Sequence, residues 1–393
     1  MFGIVDIILV IALLLAVLAG VRSGLFASLG TIAGLVAGAL AMPWLLPWAA
    51  GLLPEEWRGV GVILAAVLLL AVGAAIGSGI GRWLRRGADR LSLRVPERVL
   101  GGAVGLIAAA LVISLLGAGV TAAGIPGISS AVASSTVLRT IERLTPRPVD
   151  EALARARSGL LEVSALPTID GLIDDADLAL APDLENVDID DPEIAAAAGS
   201  VARISGLAAA CGTVPSGTGF VVADGMVMTN AHVIAGVSTP MVELPGQPAR
   251  DGQVVYFDPV DDLAVIAADV QAPPLPLTEA AAPGDSAVVH GYPYGGPPRT
   301  VPAGVAATGT FRVPDIYGQS PAERSVITLR AEVESGNSGG PALSPDGEVI
   351  GVIFARDEVR EDIGYALASS EVAPVVEAVD STQDPVPTGE CAA

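Results

Sequence analysis

Apolar and polar positions follow two different patterns along this chain. Up to about residue 125 the apolar residues run in four long blocks, about Ile4 to Val21, Leu25 to Met42, Val60 to Ile80 and Val99 to Gly124. Each approaches the roughly 20 residues that a bilayer-crossing helix needs. They are rich in Leu, Ala, Val and Gly, as packed membrane helices are. A cleaved leader competes for the first block, but no Arg precedes it and three more blocks follow. From about Gly199 the period shortens. Val/Ile-rich pieces such as Val201–Ile204, Gly219–Val222, Met226–Thr229, Leu263–Ile266, Ala287–His290 and Val349–Phe354 alternate with Gly, Pro and Asp turns. Many short strands without a long helical period predict an all-β sandwich or pair of barrels.

Between these textures, Gly127–Leu144 and Val149–Val163 have helical spacing, split by Pro146 and Pro148. Asp170–Glu193 then holds ten acids and no base, including Asp174, Asp175 and Asp177. Such a run reads as a solvated linker. A calcium site would need an EF-hand spacing with its central Gly, which is missing. The expected organisation is a four-span α-helical membrane domain over residues 1–125, a helical and acidic linker over 126–195, and an all-β domain over 196–393.

Charge assigns the surroundings. The chain holds 393 residues with a formal net charge of -22, which argues against a nucleic-acid partner. Residues 1–158 carry 13 Arg against 8 acids, and residues 159–393 carry 8 Arg against 35 acids. Arg82, Arg85, Arg86, Arg90, Arg94 and Arg98 lie between the third and fourth blocks, and Arg22 between the first two. Glu55, Glu56 and a single Arg58 lie between the second and third. The positive-inside rule then puts the lipid bilayer around the blocks and the acidic C-terminal half outside the cytoplasm. Asp6 falls near the outer end of the first block, where a carboxylate reaches the interface.

Three segments of the β region carry chemistry: Thr229-Asn230-Ala231-His232-Val233, Asp261-Asp262-Leu263-Ala264-Val265 and Gly336-Asn337-Ser338-Gly339-Gly340-Pro341. A serine hydroxyl becomes nucleophilic when an imidazole takes its proton. The imidazole needs a carboxylate to hold its tautomer. The oxyanion needs preset N–H donors, which the glycines around Ser338 allow at Gly336 and Ser338. Asp261 and Asp262 cannot be separated by spacing. The chain has two histidines, and His290, in a Val-Val-His-Gly-Tyr-Pro strand and turn, reads as structural. Cys211 and Cys391 are the whole cysteine complement. In a domain outside the cytoplasm they read as one disulfide, with two free thiols the alternative. They lack the spacing of a zinc site, and no metal or cofactor is expected.

The motifs TNAHV, DLAV and GNSGGP, in the order His, Asp, Ser, resemble the trypsin-like serine peptidases of chymotrypsin fold. The resemblance implies His232 as general base, Asp262 as orienting acid and Ser338 as nucleophile. It implies an oxyanion hole from Gly336 and Ser338 with Asn337 between them. It also places the S1 pocket at Glu332, with Ile353, Phe354 and Ala355 along its wall and Tyr365 and Ala366 opposite. A buried Glu there favours a basic residue before the scissile bond, an apolar wall a small or aliphatic one. Around the motifs the chain resembles the HtrA proteases, with no PDZ-like segment expected after them. As a whole it resembles the actinobacterial membrane-anchored acid-resistance serine proteases, the MarP family, and its membrane part the CvpA (colicin V production) family. That implies a periplasmic endopeptidase acting on cell-envelope proteins under acid and oxidative stress, with self-cleavage. The competing class is a catalytically silent protease-like sensor or binding module on a membrane anchor.

Overall fold

The computed structural model describes residues 3–51, 58–88, 94–122, 127–161, 166–169, 178, 180–189, 191–279, 281–379 and 384–392. The acidic run at 170–177, with Asp174, Asp175 and Asp177, and the connection holding Glu55 and Glu56 lie outside the described residues. The chain divides into two compact units, residues 1–117 with 135–144, and residues 118–134 with 145–393. The segment 126–195 is thus shared between the two.

The first unit holds α1 (Ile4–Ser23), α2 (Leu25–Gly51), α3 (Arg58–Ala88) and most of α4 (Arg94–Ala122). Among the described residues, Ile4–Ser23, Leu25–Met42 and Pro96–Thr121 are long and apolar enough to cross a membrane. α3 contributes the shorter apolar stretch Val67–Trp83. Helices cannot use the hydrophobic effect against lipid, so close backbone packing must hold them. Gly30, Gly34 and Gly38 form one stripe of α2 against Gly73 and Gly77 of α3. A Cβ on Gly34 would strike the Gly73 carbonyl, so only glycine permits this approach.

Three short helices follow: α5 (Ile128–Ala133), α6 (Thr136–Leu144) and α7 (Arg147–Leu161). Asp6 packs against this segment. It is 2 % exposed, and its Oδ1 accepts from Ser135 Oγ at 2.7 Å and from Val137 N–H at 3.0 Å. The carboxylate caps the start of α6, where unpaired N–H groups favour negative charge.

The second unit is built on strands β1 (Thr168–Ile169), β2 (Val201–Ser205), β3 (Ser216–Ala223), β4 (Met226–Thr229), β5 (Met241–Glu243), β6 (Arg250–Asp251), β7 (Gln253–Asp258), β8 (Leu263–Ala267), β9 (Ser286–Gly291), β10 (Arg299–Val313), β11 (Ala322–Arg330), β12 (Pro341–Leu343), β13 (Val349–Asp357) and β14 (Ile363–Ala368). One sheet runs β6-β5-β2-β3-β4-β8-β7. The other runs β1-β13-β12-β9-β10-β11-β14 and closes on itself through β13–β14. Side chains two apart share a face. In β8, Leu263 and Val265 enter a core common to both sheets, while Ala264 and Ile266 fill the first barrel. In β13, Val352 and Phe354 face the common core and Ile353 the second barrel. Part of the expected linker belongs to this unit, since Ile169, Leu178, Ala181 and Val187 pack on the common core.

Cys211 and Cys391 form a disulfide, with Cα atoms 5.7 Å apart and 180 positions between them. The tail is also stitched to the first barrel by Val386 N–H on Val254 O (2.8 Å) and Thr388 Oγ1 on Val237 O (3.0 Å). Cross-linking so long a loop restricts the unfolded chain, worth about 2–5 kcal/mol. Cys391→Ser should therefore lower the thermal midpoint by about 5–15 °C. Scanning calorimetry checks this, and an unchanged midpoint refutes it.

Candidate active site

His232 lies in the single helical turn Ala231–Ile234 that follows β4, and its side chain is 6 % exposed. Asp262 opens β8 with a left-handed φ of 54°, which is unusual for a residue with a side chain. The surrounding loop holds it there. Asp258 Oδ1 accepts from Val260 N–H (2.8 Å) and Asp261 N–H (3.0 Å), and Asn230 Nδ2 donates to the Asp262 carbonyl at 2.7 Å. Both carboxylate oxygens of Asp262 then serve His232. Oδ1 accepts the backbone N–H at 2.9 Å and Oδ2 meets Nδ1 at 2.8 Å. A carboxylate against Nδ1 keeps the proton on that nitrogen and leaves Nε2 as the basic atom.

Asp261 resolves differently. Its side chain is 44 % exposed and faces Arg324 Nε at 4.0 Å. Arg324 is the feature that sequence reading missed. It is 1 % exposed, and its Nη2 donates to the Val260 and Pro314 carbonyls, tying β11 to the loop that carries Asp262. In the sequence it sits in Ala-Glu-Arg-Ser, which reads as an ordinary solvated strand end.

The serine turn is pinned from below. Thr218 N–H donates to Ser338 O (2.8 Å), and Thr218 Oγ1 to Gly336 O (2.6 Å). Gly339 N–H reaches Ile353 O at 2.8 Å. Gly336 and Gly339 adopt φ of 97° and 79°, and a Cβ on either would strike backbone, Tyr292 O and Thr218 O respectively. The same hypothetical Cβ on Gly339 would lie 2.9 Å from Asn230 N, so the serine turn abuts the segment that carries His232. Asn337 N–H is occupied by Glu334 O at 3.0 Å, and its Oδ1 accepts Glu334 N–H at 3.0 Å. Asn337 therefore braces the turn, and its backbone N–H is spent there. The N–H groups of Gly336 and Ser338 have no protein acceptor among the described residues.

The expected S1 residues separate. Glu332 does not form a pocket base: its side chain is 62 % exposed and pairs with Arg299 at 3.5 Å, because a carboxylate seeks water when burial offers no full partner set. Phe354 and Ala355 are buried in the core common to both sheets. Tyr365 is buried in that core too, whereas Ile353 and Ala366 lie in the second-barrel cluster, with Val333.

His290 is 5 % exposed, with Nδ1 2.8 Å from Thr300 Oγ1 and Nε2 without a partner among the described residues. Burial pushes it down to about 4. An unfolded imidazole binds its proton near pH 6.5, so the folded state holds fewer protons between 6.5 and 4. His290 thus contributes stability above pH 6.5 that is lost as the pH falls toward 4, at most about 3 kcal/mol. The acid-side fall in thermal midpoint should flatten in His290→Gln; identical slopes would refute this.

Residues 217–352 match the trypsin-like peptidase domain and residues 5–146 the colicin V production protein family. The serine protease Rv3671c of Mycobacterium tuberculosis is 34% identical over 316 residues, 79% of either chain. The chain belongs to the family of this protease. It is a membrane serine protease, a hydrolase with a chymotrypsin-like catalytic unit after its apolar helices. A crystal structure of the Rv3671c protease, active form, superposes with TM-score 0.50 at 36% identity, covering 59% of this chain and 96% of that one. Bovine mitochondrial serine protease HTRA2 is 34% identical over 164 residues, 40% of this chain and 35% of the relative.

Proposed function

We propose that this family member is a four-span, membrane-anchored endopeptidase whose catalytic unit faces outside the cytoplasm and cuts cell-envelope proteins through His232, Asp262 and Ser338. The observation that carries the reading is the Asp262–His232 pair, with both carboxylate oxygens committed, beside a serine turn with two unspent N–H groups. Ser338 Oγ attacks the substrate carbonyl carbon while its proton passes to His232 Nε2. The Gly336 and Ser338 N–H groups take the oxyanion. His232 returns the proton to the leaving amine, the C–N bond breaks, and an acyl ester remains on Ser338. Water, deprotonated by the same imidazole, releases the acid and restores the hydroxyl.

The outward orientation is supported by the Arg-rich connection between the third and fourth apolar blocks and by the acidity of residues 159–393. A role under acid and oxidative stress, and cleavage of the chain by itself, are what the family resemblance implies. A fluorophosphonate should add one adduct, located on Ser338 by peptide mass spectrometry. An adduct elsewhere, or none, overturns the assignment.

A further inference from the structure

The edge of β13 next to the serine turn is already taken by the chain itself. β12 covers that edge only as far as Ile353, whose N–H and C=O bond Gly340 O and Gly339 N–H. Three residues farther on, β1 pairs with it in parallel, Thr168 beside Arg356 and Ile169 beside Asp357. Arg356 N–H donates to Pro167 O at 3.0 Å, and Glu358 N–H to Ile169 O at 3.3 Å. On the other flank Leu166 N–H reaches Ser335 Oγ at 3.2 Å, three residues before Ser338. The segment 166–169 therefore bridges the two walls beside the proposed nucleophile.

Leu166 is 3 % exposed and belongs to one apolar cluster with Val333, Ile353 and Ala366. Glu332, the acid the sequence offers for this site, points to solvent instead. Upstream, α7 grips the same rim. Arg155 pairs with Glu334 at 3.5 Å and lies 5.6 Å above the Tyr294 ring. Glu334 in turn bonds Asn337, the brace of the serine turn.

We propose that the apolar pocket of Val333, Ile353 and Ala366 is the substrate pocket for an aliphatic, leucine-sized side chain, and that Leu166 occupies it as an intramolecular brake. The occupant is not itself positioned for cleavage. The Leu166–Pro167 segment bonds Ser335 and Arg356, while the Gly336 and Ser338 N–H groups that would hold a scissile carbonyl remain unspent. Substrate must displace the segment, so its apparent affinity is reduced by the fraction of molecules in which the pocket is open. This inference rests on the triad reading above.

The test uses the full chain in detergent and a p-nitroanilide peptide with Leu before the anilide. Leu166→Ala should raise kcat/KM about tenfold, mainly through a lower KM, because it weakens the occupant and leaves the chemistry alone. Arg155→Ala, which does not touch the pocket, should raise it in the same sense by a smaller factor. A matching peptide with Arg before the anilide should be hydrolysed at least about 100-fold less well, since the pocket offers the cation no partner. Normal fluorophosphonate labelling of Ser338 with unchanged or lower kcat/KM in both variants overturns the brake alone. Preference for Arg overturns the pocket assignment. Absence of labelling in the wild type overturns the triad reading instead. If Leu166→Ala fails to fold, Arg155→Ala decides by the same criterion.

Discussion

Ser338→Ala is expected to lower kcat for peptide hydrolysis by about a millionfold, with no change in thermal midpoint. The substitution removes one oxygen from a residue that is 3 % exposed. Every hydrogen bond that shapes the turn runs through backbone or through neighbours: Thr218 N–H on Ser338 O, Gly339 N–H on Ile353 O, Thr218 Oγ1 on Gly336 O. The fold therefore loses nothing that it uses. Only covalent catalysis is lost, and the remaining rate reflects the two oxyanion donors and binding. His232→Ala should cost about as much, and the double variant little more, because groups that act as a unit are not additive. Steady-state kinetics beside fluorophosphonate labelling measures both. A residual rate above about one percent of wild type would place the nucleophile elsewhere.

Asp262→Asn should lower kcat by about ten-thousandfold at neutral pH. The asparagine amide is nearly the same shape, and its oxygen can still accept the His232 backbone N–H that now bonds Oδ1. Its NH2 group, however, would face Nδ1, where Oδ2 now stands at 2.8 Å. Two donors cannot meet, so the imidazole must present a bare Nδ1 and carry its proton on Nε2. That nitrogen then cannot accept from Ser338, and the imidazolium formed in the transition state has no counter-charge. Asp261→Asn is the control. Its side chain is 44 % exposed and faces Arg324, and its loss should change kcat by no more than about twofold. Equal losses at the two positions would remove Asp262 from its role.

Much of the site was legible because its chemistry is local in sequence. The glycines of Gly336-Asn337-Ser338-Gly339 are required by positive φ and close backbone approach, constraints that act within a few residues. The alternation of Leu263, Ala264, Val265 and Ile266 likewise reads directly as a strand buried on both faces. Glu332 misled because a position counted back from the serine does not specify which way a side chain turns; Arg299, 33 residues earlier, drew it outward. Arg324 gave no signal at all, since its burial depends on the Val260 and Pro314 carbonyls brought to it by the fold. The segment around Leu166 read as linker because its neighbours are acidic, while its own apolar side chain joined a cluster with residues more than 160 positions away in sequence.

From the order of residues alone came the apolar helical half, the β-rich half and the three motif segments, because bilayer length, strand period and turn chemistry are each dictated by neighbours in the chain. Tertiary structure decided which of two adjacent aspartates meets His232, that Asp6 caps α6, that Glu332 turns to solvent, and that Leu166 joins the apolar cluster of Val333 and Ile353. These outcomes depend on distances between segments remote in sequence, and only the closed sheets bring such segments within reach of a hydrogen bond or a shared core.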